Sequence, residues 1–150
     1  MANYYTLFAN EVAIRKGKHN VEMVKTILDK GLEERQRLHE ADDYDSLDAA
    51  GFDFEYTWDH EDKLMLHSEE NGNVDHAIAF LEDLVKRNLV SEPVAFYWAQ
   101  TCSSLGPGEF CGGGTLITKG KTYWFVPQGQ VDRKWDQIKK ERAKPKRKKR

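Results

Sequence analysis

Three histidines, His60, His67 and His76, fall within seventeen residues of one another, and Asp59, Asp62, Glu69, Glu70 and Asp75 lie among them. Two cysteines, Cys102 and Cys111, sit nine apart across a later glycine-rich stretch and could join the same set. Zinc accepts imidazole, thiolate and carboxylate ligands. Structural zinc sites, however, are usually built on tight pairs such as Cys-x2-Cys or His-x3-His, and neither occurs here; the histidines are separated by seven and nine. The simpler reading places His76 at the start of a helix, as a cap or a packing residue, with the acids in water. Nucleophilic chemistry has little support. Cys102 would follow a strand and precede a loop, but its neighbourhood is acidic, and a reactive thiolate needs a cation or a helix N-terminus beside it. Ser103 and Ser104 lack the Gly-x-Ser-x-Gly elbow. A pair drawn from Glu61, Glu69, Glu70 and Asp75 could serve acid–base hydrolysis. With fifteen acids between Glu33 and Asp75, such a pair carries almost no information. The segment Leu105–Gly114 is not a phosphate-binding loop: it has Glu109 where a lysine would be needed and leads into a strand. It reads as a long connection tucked down by Phe110, with Gly112 to Gly114 permitting close backbone approach or a bulge. No cofactor motif is present, and none is expected to bind.

The charge is unevenly divided. A formal net charge of −2 over 150 residues conceals a stretch from Arg133 to Arg150 with eleven Lys and Arg against two acids, a net +9, and a body at −11. The terminal run Lys144, Lys146, Arg147, Lys148, Lys149 and Arg150 is interrupted only by Pro145. Such a segment contacts phosphates without reading sequence, and its affinity falls steeply with salt. The aromatic interleaving of single-strand binders is missing, apart from Trp135. The plainer reading is a solubility tail, or one that folds back on the chain's own acidic surface. The acidic body could in turn imitate a phosphate backbone, but many of its acids fall in 40–50, which reads as a linker loop.

These residues must be positioned by elements that the pattern supplies unevenly. Length predicts one domain, 1–132, followed by a largely disordered basic tail, 133–150. Residues 3–14 are mixed, with a weak strand signal at Tyr5 and Leu7. Val21, Val24, Ile27 and Leu28 recur at helical spacing after Asn20, predicting a helix over 20–38 capped by that asparagine and weakened at Gly31. Phe52, Phe54, Tyr56 and Trp58 alternate with polar residues as a half-buried strand, and Lys63–His67 returns as its partner. Asn73 caps a strongly amphipathic helix over 74–87, with Asp75 in its first turn. Val94, Phe96 and Trp98 alternate with Ala95, Tyr97 and Ala99 in a strand expected to be buried on both sides. A hairpin turns about Lys119-Gly120. Asp132 to Arg142 is expected to form a turn or two of helix. The fold class is therefore α+β: one mostly antiparallel sheet with the 74–87 helix on one face. A ferredoxin-like variant fits, with the strand order open. Trp58 and Trp98, each completing an apolar face, are expected in the core.

The pattern Trp58-Asp-His60, Ser68-Glu-Glu-Asn-Gly72, His76, Phe80, Phe96-x-Trp98, Thr101-Cys-Ser103, Phe110 and Gly112-Gly-Gly114 resembles a set of small uncharacterised bacteriophage and plasmid proteins. It covers about 52–125 and neither the first 50 residues nor the tail. The resemblance implies a mobile-element origin; no activity or catalytic residue comes with it. No apolar run approaches the ~20 residues of a membrane helix, and the N-terminus lacks a secretory pattern. A cytoplasmic protein with reduced cysteines is expected. The sequence thus points to a non-enzymatic binder of macromolecules, its tail touching nucleic acid or an acidic partner, a host protein among them. The alternatives are a metal-dependent enzyme around His60, His67 and His76, and an acidic charge-mimic inhibitor of a host protein. The oligomeric state stays open.

Overall fold

A computed structural model describes residues 4–102 and 111–144. The element order is β1 (Tyr4–Ala13), α1 (Lys18–Glu40), α2 (Tyr44–Ala50), β2 (Glu55–His60), β3 (Lys63–Ser68), α3 (Val74–Lys86), β4 (Val94–Cys102), β5 (Cys111–Ile117), β6 (Thr122–Phe125) and α4 (Pro127–Ala143). All six strands form one sheet in the order β2-β3-β1-β4-β5-β6, and every pairing is antiparallel. The first four strands with α1 and α3 have the connectivity of the ferredoxin-like split βαβ arrangement, and the β5–β6 hairpin extends it on one side. The fold is α+β, as the periodicities predict.

The central strand is β1, which the sequence marks only weakly. Phe8, Asn10, Val12 and Ile14 are buried while Ala9, Glu11 and Ala13 are exposed, a period of two interrupted by a polar residue. The buried side of the sheet packs on α1 and α3 in one core that joins Phe8, Leu64, Leu66 and Phe96 to Val24, Leu28, Ile78 and Leu81. Trp58 and Trp98, expected in the core, are only partly buried and pack against its margin.

Local signals explain where the helices stop. Asn73 Oδ1 accepts from the His76 N–H at 3.1 Å, capping α3. At its other end Asn88 takes φ 60°, and the Asn88 and Leu89 amides close on the Val85 and Leu84 carbonyls at 3.1 and 2.9 Å. The same device ends α1: Asp42 adopts φ 55°, and Asp42 and Asp43 N–H donate to His39 and Leu38 carbonyls. Asp43 then caps α2 through the Ser46 amide at 3.2 Å. The 40–50 segment, expected to be a loop, is therefore a helix end followed directly by a helix start. Helix α1 begins at Lys18 after Gly17, and Asn20 is not its cap; its amide donates instead to the Arg15 and Lys16 carbonyls. The strand expected from Phe52 begins only at Glu55. Phe52, at φ 65°, turns its ring onto Gly31 and joins Phe54 and Phe80 in a cluster with centroids 5.5–5.8 Å apart.

Among the described residues the other side of the sheet carries no helix-packed core, and it divides by chemistry. Over β2, β3 and part of β1 it presents Glu11, Glu55, Thr57, Lys63 and His67. Over β4, β5 and β6 it presents Tyr97, Leu116, Tyr123 and Phe125, all exposed. Strand β4 is thus buried on one side only, correcting the expectation that both of its faces are covered.

Candidate nucleic-acid interface

The three histidines do not converge. His60 sits exposed at the β2–β3 turn, 4.0 Å from its neighbour Asp59. His67 lies on the open side of β3, where Nε2 is 2.9 Å from Thr57 Oγ1 and Nδ1 is 3.4 Å from Glu55. His76 is in the first turn of α3. Its Nδ1 accepts from the Asp53 N–H at 3.2 Å, which places the ring proton on Nε2, facing Asp48 at 3.4 Å. That histidine ties α2, the β2 approach and α3 together, a positional role. Among the described residues no three His, Cys, Asp or Glu side chains are placed to share a metal ion. Ser103, Ser104, Glu109 and Phe110 lie outside the described residues, as do the side chains of Cys102 and Cys111.

The aromatic surface was not legible in the sequence. Residues 112–114, expected to be loop or strand start, are paired within β5 opposite Ala99, Trp98 and Tyr97. A Cβ on Gly113 would stand 2.8 Å from the Trp98 ring and 2.7 Å from the Phe125 carbonyl oxygen, and one on Gly114 would stand 3.1 Å from the Tyr97 ring. The glycines let two rings of β4 lie across β5, one on each side of the sheet, as aromatics cover strand glycines elsewhere. Trp98 then meets Trp124 of β6 edge to face at 6.0 Å. Lys121 Nζ stands 4.8 Å from the Tyr123 ring centroid.

The basic segment leaves this surface as structure. Pro127 occupies the first turn of α4, and the helix touches the body along β5. It runs to Ala143, well beyond the turn or two that its residues suggest. Arg133, Lys134, Lys139, Lys140 and Arg142 are all exposed. Val131, Trp135 and Ile138 share one stripe by spacing; Val131 is 66% and Trp135 61% exposed. Lys139 Nζ stands 5.5 Å from the Trp135 ring centroid. Of the predicted contact residues only Lys144, at the end of α4, is described; Lys146, Arg147, Lys148, Lys149 and Arg150 lie outside the described residues.

Eighteen of the twenty-five acids lie in the first half of the sequence, thirteen of them in 40–75 with Lys63 as the one Lys or Arg there. In α1 Arg37 holds the Glu34 carboxyl below its ordinary range through a paired hydrogen bond at 2.6 and 3.0 Å, and Arg35 lies 3.3 Å from Asp53. Among the described residues no helix is long and apolar enough to cross a membrane. Compared with known family models, curated proteins and solved structures, the chain finds no match in any of the three.

Proposed function

We propose that this protein is a non-enzymatic binder of nucleic acid that works through its C-terminal arm, α4 with the basic residues that follow. The observation that carries the reading is a helix with five exposed Lys and Arg side chains and an exposed Trp135 beside Lys139. A 17-residue helix with almost no buried surface is marginal by itself, so its apolar stripe and its charge both call for a partner. Phosphates answer the charge, and an unstacked base answers the indole face. The pairing of a cation with a ring therefore favours single strands over duplex. An accessory protein of mobile-element type, acting in the cytoplasm, is the setting that the phage and plasmid resemblance suggests.

Fluorescence anisotropy with labelled single- and double-stranded oligonucleotides tests the reading. Trp135→Ala should weaken single-strand binding by about 1–3 kcal/mol, roughly 5- to 150-fold, with less effect on duplex. An equal, small effect on both would remove the stacking role.

A further inference from the structure

We propose that the β6 edge is the interface of a homodimer, formed when β6 pairs antiparallel with β6 of a second copy about a two-fold axis. The two edges of the sheet are treated differently by the sequence. The β2 edge carries Glu55, Asp59 and His60, and its register shifts between Trp58 and His60. Charges and irregularities of that kind keep edge strands from pairing with other chains. The β6 edge has neither. Thr122 to Val126 contains no charged residue, and its pairing with β5 is regular from Ile117↔Thr122 to Gly114↔Phe125.

The side chains around that edge are apolar and open on both sides of the sheet. Tyr123 is 45%, Trp124 49% and Phe125 47% exposed, with Leu116, Val126 and Tyr97 beside them. At about 150–250 Å² for an aromatic side chain, these six expose on the order of 600 Å². Doubled across the two-fold axis this gives about 1,200 Å², the lower end of a specific interface. On one copy that area stands at the top of the ~300–600 Å² of the largest patch on a typical monomer.

The occupant is a second copy, and not nucleic acid, for a chemical reason. An open strand edge offers alternating N–H and C=O groups, which another strand satisfies and a phosphate backbone does not. An edge paired with itself about a two-fold axis is self-complementary without further design. Continuing the sheet would give twelve strands and place two basic arms on one particle, so that each arm raises the effective concentration of the other on a long nucleic acid. The dimer does not depend on that binding; it rests on the edge and the area.

Sedimentation velocity of the full chain, freed of nucleic acid and held at about 300 mM salt to suppress phosphate contacts, tests it over roughly 1–100 μM, the range of modest interfaces. The expected result is a dimer that Phe125→Glu dissociates with an unchanged far-ultraviolet circular dichroism spectrum, its dissociation constant rising about 100-fold as like charges meet across the axis. Val126→Arg, at the exposed end of the strand, is the second variant should Phe125→Glu not fold. A monomer at every concentration overturns the proposal. So does a dimer indifferent to both variants, which would place the interface elsewhere. A monomeric wild type whose Phe125→Glu variant loses single-strand binding would assign the patch to nucleic acid.

Discussion

Asn10 is the single residue whose replacement should reveal most about how the sheet holds together. Strand β1 pairs with β4 only from Tyr4↔Cys102 to Leu7↔Ala99. Beyond Leu7 the two strands part, and the Asn10 side chain fills the gap. Its Nδ2 donates to the Tyr97 carbonyl at 2.8 Å, and its Oδ1 accepts from the Tyr97 N–H at 3.0 Å. The amide thus completes a ladder that the backbones cannot. Asn10 is 8% exposed, so Asn10→Ala leaves a part-buried donor and a part-buried acceptor on Tyr97 without partners. At about 1–3 kcal/mol for each unsatisfied group, and with some relief from entering water, the loss should be about 2–4 kcal/mol. That is a large share of the roughly 5–15 kcal/mol that stabilises a domain. Urea unfolding followed by tryptophan fluorescence at neutral pH measures it. With a slope of about 1–3 kcal/mol/M, the midpoint should fall by about 1–2 M. Asn10→Asp keeps the acceptor but sets a carboxylate against the Tyr97 carbonyl. Its deficit should therefore be at least as large at neutral pH and shrink as the pH falls and the carboxyl regains a proton to donate. A loss below about 0.5 kcal/mol for Asn10→Ala, the range of an ordinary surface change, would refute the bridging role.

Two further substitutions test the core. Thr115 is 2% exposed and its Oγ1 has no hydrogen-bond partner among the described residues; Thr115→Val should raise the unfolding free energy by about 1 kcal/mol, because an unsatisfied buried hydroxyl is replaced by a methyl in a strand. Gly31→Ala should destabilise despite a helix-propensity gain of about 1 kcal/mol. Its Cβ would stand 2.6 Å from three Phe52 ring atoms, Cγ included, and forcing the ring out of the Phe54–Phe80 cluster costs about 1–3 kcal/mol; a rise in melting temperature would contradict this.

The sequence shows elements whose stabilising residues are close together. Helix α3 was legible because Asn73, Asp75 and the apolar stripe from Val74 to Val85 all lie within one segment and agree. The β2–β3 and β5–β6 hairpins were legible for the same reason. Strand β1 was obscured because Asn10 occupies a core position and earns it only through Tyr97, 87 residues away. Helix α2 was obscured because Asp42 and Asp43 look like loop residues; one ends α1 in a left-handed conformation and the other caps α2. The clustering of His60, His67 and His76 in sequence was misleading in space, since a strand, a turn and a helix send them to different places. The exposed aromatic surface was hidden because alternation reports that a residue belongs to a strand face, not whether anything covers that face. Tyr97, Leu116, Tyr123 and Phe125 come together through the registers of three strands, and their exposure depends on the absence of a covering helix over that side of β4–β6 among the described residues.

The C-terminal arm is proposed to bind nucleic acid. The most direct test is anisotropy with a labelled single strand, comparing the full chain with a chain ending at Val126, at about 50 and 200 mM salt, a range over which several phosphate contacts weaken binding steeply. Binding by the full chain should fall at least tenfold between the two salts and disappear with the arm. Equal binding by the shortened chain would move the contact to the sheet, and no binding at the lower salt would contradict nucleic-acid binding by the arm, turning attention to a basic protein partner for the acidic stretch 40–75.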